Sequence, residues 1–108
     1  MSLRNKVTLI GRTGKEVEFV KFENGRIGKV SLATSDFYTN ALGEKVEETQ
    51  WHNLVFNGKL VDIVEKYVEK GREIAVEGKI VYKTWEKDGV RHYNTEIKVD
   101  ELVLLHSK

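Results

Sequence analysis

Trp85 ends a run in which Lys79, Val81 and Lys83 share its parity, so an extended strand would project one indole and two ammonium groups from a single face. Such a face suits one chemistry in particular: unpaired bases stack on the aromatic ring while cations follow the phosphates, each stacked base being worth about 1–3 kcal/mol by alanine substitution. Packing at a barrel end or a subunit contact is the competing use of Trp85. Trp51 presents the same choice, since beside Asn53 and Val55 it is either a stacking platform or a core residue. Phe37 and Tyr38 follow Ser35-Asp36 in a polar segment where no apolar pattern calls for aromatics. Their exposure costs less if bases cover them, a small hydrophobic staple being the alternative. Core packing accounts for Phe19, Phe22, Phe56 and Tyr67, while Tyr82 and Tyr93 lie on strands of ambiguous facing. Arg4, Lys6, Arg12, Lys29, Lys59, Arg72 and Arg91 are available to phosphates, although any soluble surface carries such charges.

Other chemistries find little support. The chain lacks cysteine, which excludes disulfides, thiolate metal sites and a cysteine nucleophile. Its three histidines, His52, His92 and His106, have neither metal-ligand spacing nor an evident nucleophile partner. No catalytic residue, metal site or cofactor is therefore expected. The formal net charge of +1 does not announce a nucleic-acid binder, so a site would need its cations gathered on one face. The acids are unevenly placed, with Glu44, Glu47 and Glu48 in one expected loop and Asp62, Glu65 and Glu69 on a helix-like stretch.

The elements that must position these residues follow from periodicity. Residues 6–10 and 17–22 read as strand, punctuated between them by Gly11 and Gly14. Asn24-Gly25 signals a hairpin into a strand over 27–34. Residues 35–49 are polar and show neither period, which predicts a long loop or an irregular hairpin tip, and alternation resumes over 50–56. Leu60, Ile63, Val64, Tyr67 and Val68 then fall at helical spacing, with Asn57 as expected N-cap and Lys70-Gly71 at the C-terminal end. Residues 73–85 and 90–105 alternate on either side of Asp88-Gly89, another hairpin turn, and Gly78 marks a bulge or a barrel bend. With 108 residues, 40% apolar and 32% charged, residues 1–108 are expected to form one domain. A small domain without disulfides often gains stability by oligomerising. No signal-peptide-like or membrane-spanning run occurs, so the expected compartment is the cytoplasm, with no membrane partner. With 6–10 and 17–22 counted as one strand broken at Gly11 and Gly14, the order of elements, β-β-β-α-β-β, matches an all-β OB-fold, a five-stranded Greek-key barrel with one helix.

The chain also resembles the bacterial single-stranded DNA-binding protein family. The resemblance rests on Asn5-Lys6-Val7-Thr8-Leu9-Ile10-Gly11, Ser31-Leu32-Ala33-Thr34-Ser35, Trp51-His52, Gly58-Lys59-Leu60, Lys70-Gly71 and Glu77-Gly78, and covers almost the whole chain. It implies an OB-fold, usually as a homotetramer, that binds unpaired DNA without sequence preference. Such binding would protect the strand in replication, recombination and repair, in association with the nucleoid. It also implies stacking at Tyr38, Trp51 and Trp85, a strand cation at Lys83, and a subunit-interface position at His52. Three departures qualify it. Asn57 stands where the family often has an aromatic residue, so that contact is lost or supplied by Phe56. Tyr38 replaces a frequent tryptophan. The family's acidic recruiting tail is not seen after His106-Ser107-Lys108, so tail-mediated partners are not expected. Two other readings use the same fold: an OB module for protein contact of the primosome-accessory kind, and an RNA-binding OB-fold.

Overall fold

The computed structural model describes residues 3–105, so His106 lies outside the described residues. The elements are β1 (Val7–Thr13), β2 (Glu18–Phe22), β3 (Gly25–Thr39), β4 (Lys45–Phe56), α1 (Lys59–Tyr67), β5 (Glu73–Lys87) and β6 (Val90–Leu104). The strands form one sheet in the order β1-β5-β6-β4-β3-β2, and β1 also pairs with β3. That extra pairing closes the barrel. β1 meets β3 at Arg12↔Ala33 and Thr13↔Leu32, and β2 resumes along the same strand at Glu18↔Lys29. The two therefore act as one interrupted strand, giving the five-stranded OB barrel with a single helix that the sequence predicts. On the far side, β4 and β6 join in parallel through Leu54↔Ile97 and Val55↔Lys98.

Closure brings backbones close together. A side chain at Gly11 would overlap the Ala33 carbonyl, and one at Gly78 would overlap that of Lys98. At Gly78 the β5–β6 register slips: Glu77 faces Glu101 but Gly78 faces Val99, leaving Asp100 as the extra residue in β6. The consequence is a change of parity. Leu102 and Leu104 pack against the core from even positions, whereas after the bulge Val99 and Ile97 do so from odd ones. The even residues Glu96, Asn94 and His92 are thereby turned to the outside.

The core is aliphatic around one aromatic ring, with Leu32, Leu54, Phe56, Ile74, Val61 and Val64 fully buried. The helix contributes Val61 and Val64, with Val68 just past its end, so its buried stripe is rotated from the expected one. Ile63 and Tyr67 of the expected stripe are 39% and 52% exposed. Asn57 is not the N-cap: Gly58 takes that position at φ 64, in a turn that glycine adopts freely, and no side chain caps the helix. Val68 is the C-cap and Gly71, at φ 84, lies farther along the connection. Arg26 fastens the helix to the barrel, its Nη2 donating to Asp62 at 3.0 Å and Glu65 at 2.6 Å while its guanidinium lies over Phe19. The hydrogen bond from Arg26 holds the Glu65 carboxyl below its ordinary pKa, so this contact supports the fold at neutral pH and is lost as pH falls through the lowered value.

The expected loop over 35–49 is mostly strand. The β3–β4 ladder continues from Ser35↔Thr49 to Thr39↔Lys45 and ends in a turn where Asn40 Oδ1 accepts from the amides of Leu42 and Glu44. Beyond the barrel this ribbon meets water on both faces, so its sequence shows no alternation. The Asp88-Gly89 turn appears as expected, both residues having positive φ. No helix among the described residues is long and apolar enough to cross a membrane.

Phe56 was a candidate stacking residue and is instead a core residue, 0% exposed, because its parity on β4 points it inward with Leu54. Phe56→Ala is expected to cost about 3–5 kcal/mol of stability, measured as a lowered urea midpoint.

Candidate nucleic-acid interface

The side of the sheet turned away from the core forms one continuous face across four strands. From β3 come Lys29, Ser31 and Ala33, and opposite them on β4 stand Val55, Asn53 and Trp51. β6 adds Glu96, Asn94 and His92, paired across to Val81, Lys83 and Trp85 of β5. The parallel β4–β6 junction joins the two halves, and Asn53 Nδ2 spans it, donating to Asn94 Oδ1 at 3.4 Å and to the Thr95 carbonyl at 3.3 Å. Between them lies an open depression of about 450 Å³, lined among others by Lys15, Lys29, Ser31, Asn53, Asn94 and Glu96.

Both tryptophans belong to this face and each is backed on one side. Trp51 is 61% exposed and lies against Gly14, where a β-carbon would overlap the indole. Trp85 is 47% exposed and stacks on His92 across the ladder, with ring centroids 5.3 Å apart and planes 17° from parallel. A ring held on one side and open on the other is a preorganised platform for a flat ligand. Lys83 shares the face, with its ammonium 3.2 Å from Glu96. Lys79 shares it too and stands opposite Lys98, a like-charge pair that an anion would relieve.

The remaining candidates are distributed differently. Phe37 has the parity of Ala33 and hence of Trp51, and Lys45 sits 4.9 Å above its ring. Tyr38, opposite Val46, is half exposed on the other face of the same ribbon. Lys6 pairs with Glu77 at 3.5 Å, and Arg12 donates to the Gly71 carbonyl at 3.2 Å. Lys6 lies at the β1–β5 side of the barrel, whereas Arg12 stands opposite Ala33 of β3, whose partner on β4 is Trp51. His52 is half-buried, its Nε2 2.9 Å from Thr34 Oγ1. Among the described residues no group of His, Cys, Asp or Glu is arranged to hold a metal ion.

Asn53, Asn94, Glu96 and His92 were not among the sequence candidates. The signal for three of them was available: counting outward from the Asp88-Gly89 turn pairs Trp85 with His92, Lys83 with Asn94 and Val81 with Glu96. Tyr82 and Tyr93 are 74% and 72% exposed, on the side of the β5–β6 ribbon opposite Trp85.

An OB barrel with two half-free indoles and lysines on one sheet face defines the class of oligonucleotide-binding β-barrels. Within it, a model of the Single-strand binding protein family matches residues 4–105, and the chain belongs to that family. The Single-stranded DNA-binding protein 1 of Chlorobaculum tepidum is 36% identical over 107 residues, a match covering 96% of this chain and 66% of that protein. The Single-stranded DNA-binding protein of Bacteroides thetaiotaomicron is 41% identical, covering 96% and 67%. The chain thus spans about two thirds of the length of these relatives. Among solved structures, a Plasmodium falciparum SSB in complex with ssDNA superposes with a TM-score of 0.87 at 32% identity, covering 98% of this chain and 97% of that one. A deletion mutant of the Thermus aquaticus single-stranded DNA binding protein gives 0.83 at 28% identity, covering 96% and 51%. This is a family of DNA-binding proteins rather than enzymes, in line with the expected lack of catalytic chemistry.

Gly14→Ala is expected to lift the Trp51 indole from the barrel. In a Trp85→Phe background, where Trp51 is the one remaining tryptophan, its emission should move to longer wavelength with the far-ultraviolet circular dichroism unchanged; an unmoved spectrum would mean that Gly14 does not seat the ring.

Proposed function

We propose that this chain binds single-stranded DNA without sequence preference, as one OB unit over residues 1–108, and shields it during replication, recombination and repair. The observation that carries the proposal is the placing of Trp51 and Trp85, each backed and half-free, on the same outward face as Lys79 and Lys83. Bases would stack on the two indoles, and on Phe37 and Tyr38 where the strand crosses the β3–β4 ribbon. Every base has a π-face, so stacking tolerates any sequence, and release of phosphate counterions supplies the remaining affinity. Lys6 and Arg12 would meet a strand that continues around the barrel. Membership of the single-strand binding family and the likeness to a DNA-bound relative support this reading.

The active form in this proposal is a homo-oligomer, most simply a tetramer. Ile10 of β1, Ala75 of β5 and Val103 of β6 stand in one row on the outside of the barrel, and Ile10 and Val103 are 58% and 56% exposed. A second copy would cover such a row, with His52 assigned to a subunit contact. Ile10→Glu is expected to lower the mass measured by light scattering toward that of a monomer.

Titration of the intrinsic fluorescence with oligothymidine, at two salt concentrations, tests the binding. Quenching by the single strand but not by duplex, weakened by salt, with binding weakened by about 1–3 kcal/mol in Trp85→Ala, is the expected outcome. No response to either nucleic acid would overturn the proposal in favour of an OB module for protein contact, and preference for a matched RNA would redirect it to RNA.

A further inference from the structure

Glu96 is the buried acid that simple stacking and charge attraction leave unused. Its side chain is only 6% exposed, yet it lies on the outward side of β6 among the groove residues. Oε1 is 3.2 Å from Lys83 Nζ, and Oε2 is 3.9 Å from Lys29 Nζ and accepts from Asn94 Nδ2 at 3.0 Å. A carboxylate this far from water persists when it is paired and hydrogen-bonded. The two lysine side chains, in contrast, are 53% and 41% exposed, so their ammonium ends remain at the surface where a phosphate would arrive. Two cations and one acid leave the cluster with a single net positive charge.

We propose that Glu96 is a built-in competitor for the phosphate backbone. It holds Lys83 and Lys29 in the groove and offsets one of their charges, so the pair neutralises one phosphate where two unopposed lysines would neutralise two. This inference rests on the single-stranded DNA reading above. Its consequence is moderated affinity: Lys83 exchanges between an internal carboxylate and the strand, which lowers the cost of letting the strand go and flattens the response to salt.

The test is the dependence of the oligothymidine binding constant on salt for the wild type, Glu96→Gln and Lys83→Gln/Glu96→Gln, with thermal melting of each. One additional phosphate neutralised on a single strand steepens the slope of log K against log salt by about 0.7. Glu96→Gln should therefore bind several-fold more tightly at low salt with a slope steeper by that amount, and the double variant, which restores the net charge, should return to the wild-type slope. Weaker binding by Glu96→Gln with an unchanged or shallower slope would overturn the proposal and leave Glu96 a purely structural anchor. If Glu96→Gln does not fold, Glu96→Met carries the test: it removes the charge without leaving a polar group to bury, and a slope steeper by about 0.7 supports the proposal whereas a wild-type slope overturns it. Absence of salt-dependent binding by the wild type would instead defeat the single-stranded DNA reading itself.

Discussion

The groove face depends on one extra residue in β6. A β-strand alternates with period two, so a continuous ladder would keep the even residues of β6 on the same side throughout. Leu102 and Leu104 pack inward from that set, and without the slip beside Gly78 the carboxylate of Glu96 and the amide of Asn94 would be driven in among aliphatic side chains. Asp100 absorbs the shift, and Gly78 permits it because the Lys98 carbonyl occupies the space a β-carbon would need. One bulge thus reconciles an aliphatic barrel with a polar, aromatic outer face built from the same strand.

Much of this arrangement was legible in the residues. Asn24-Gly25 and Asp88-Gly89 announced their hairpins, Gly78 announced its irregularity, and the switch from period two to helical spacing located α1. Signals failed where burial did not impose them. The β3–β4 ribbon beyond the barrel has water on both faces, so nothing in its composition distinguishes it from a loop, and Phe37 and Tyr38 looked like loop aromatics. Of the expected stripe, Val64 and Val68 are buried and Leu60 packs against the core, but Ile63 and Tyr67 stay exposed because the helix turns Val61 inward instead. Phe56 read as a core residue from its place on the strand, and its burial bears out that reading over the stacking contact that the resemblance offered. The site was half legible: the tryptophans and Lys83 stood out by type, whereas Asn53, Asn94 and Glu96 become meaningful only once the cross-strand register is known.

The supports behind the exposed rings are as specific as the rings themselves. Trp51 is seated by the absence of a side chain at Gly14 and Trp85 by the plane of His92, so two different devices hold two similar side chains half-free. Arg26 serves the opposite end of the molecule, joining the β2–β3 hairpin to the helix through two carboxylates and leaving the groove face untouched by that network.

The outer ends of the β3–β4 and β5–β6 hairpins lie beyond the closed barrel as two-stranded ribbons with solvent on either side. Such pairs are marginally stable in isolation, because few buried contacts hold their backbone hydrogen bonds. Their amides should open and exchange with solvent long before those of the barrel, although all belong to one sheet. Tyr82 and Tyr93 stand on the uncovered side of the second ribbon. A ligand lying along the ribbons would therefore find its partner only partly rigid, and some of its contact energy would go into damping these hairpin motions.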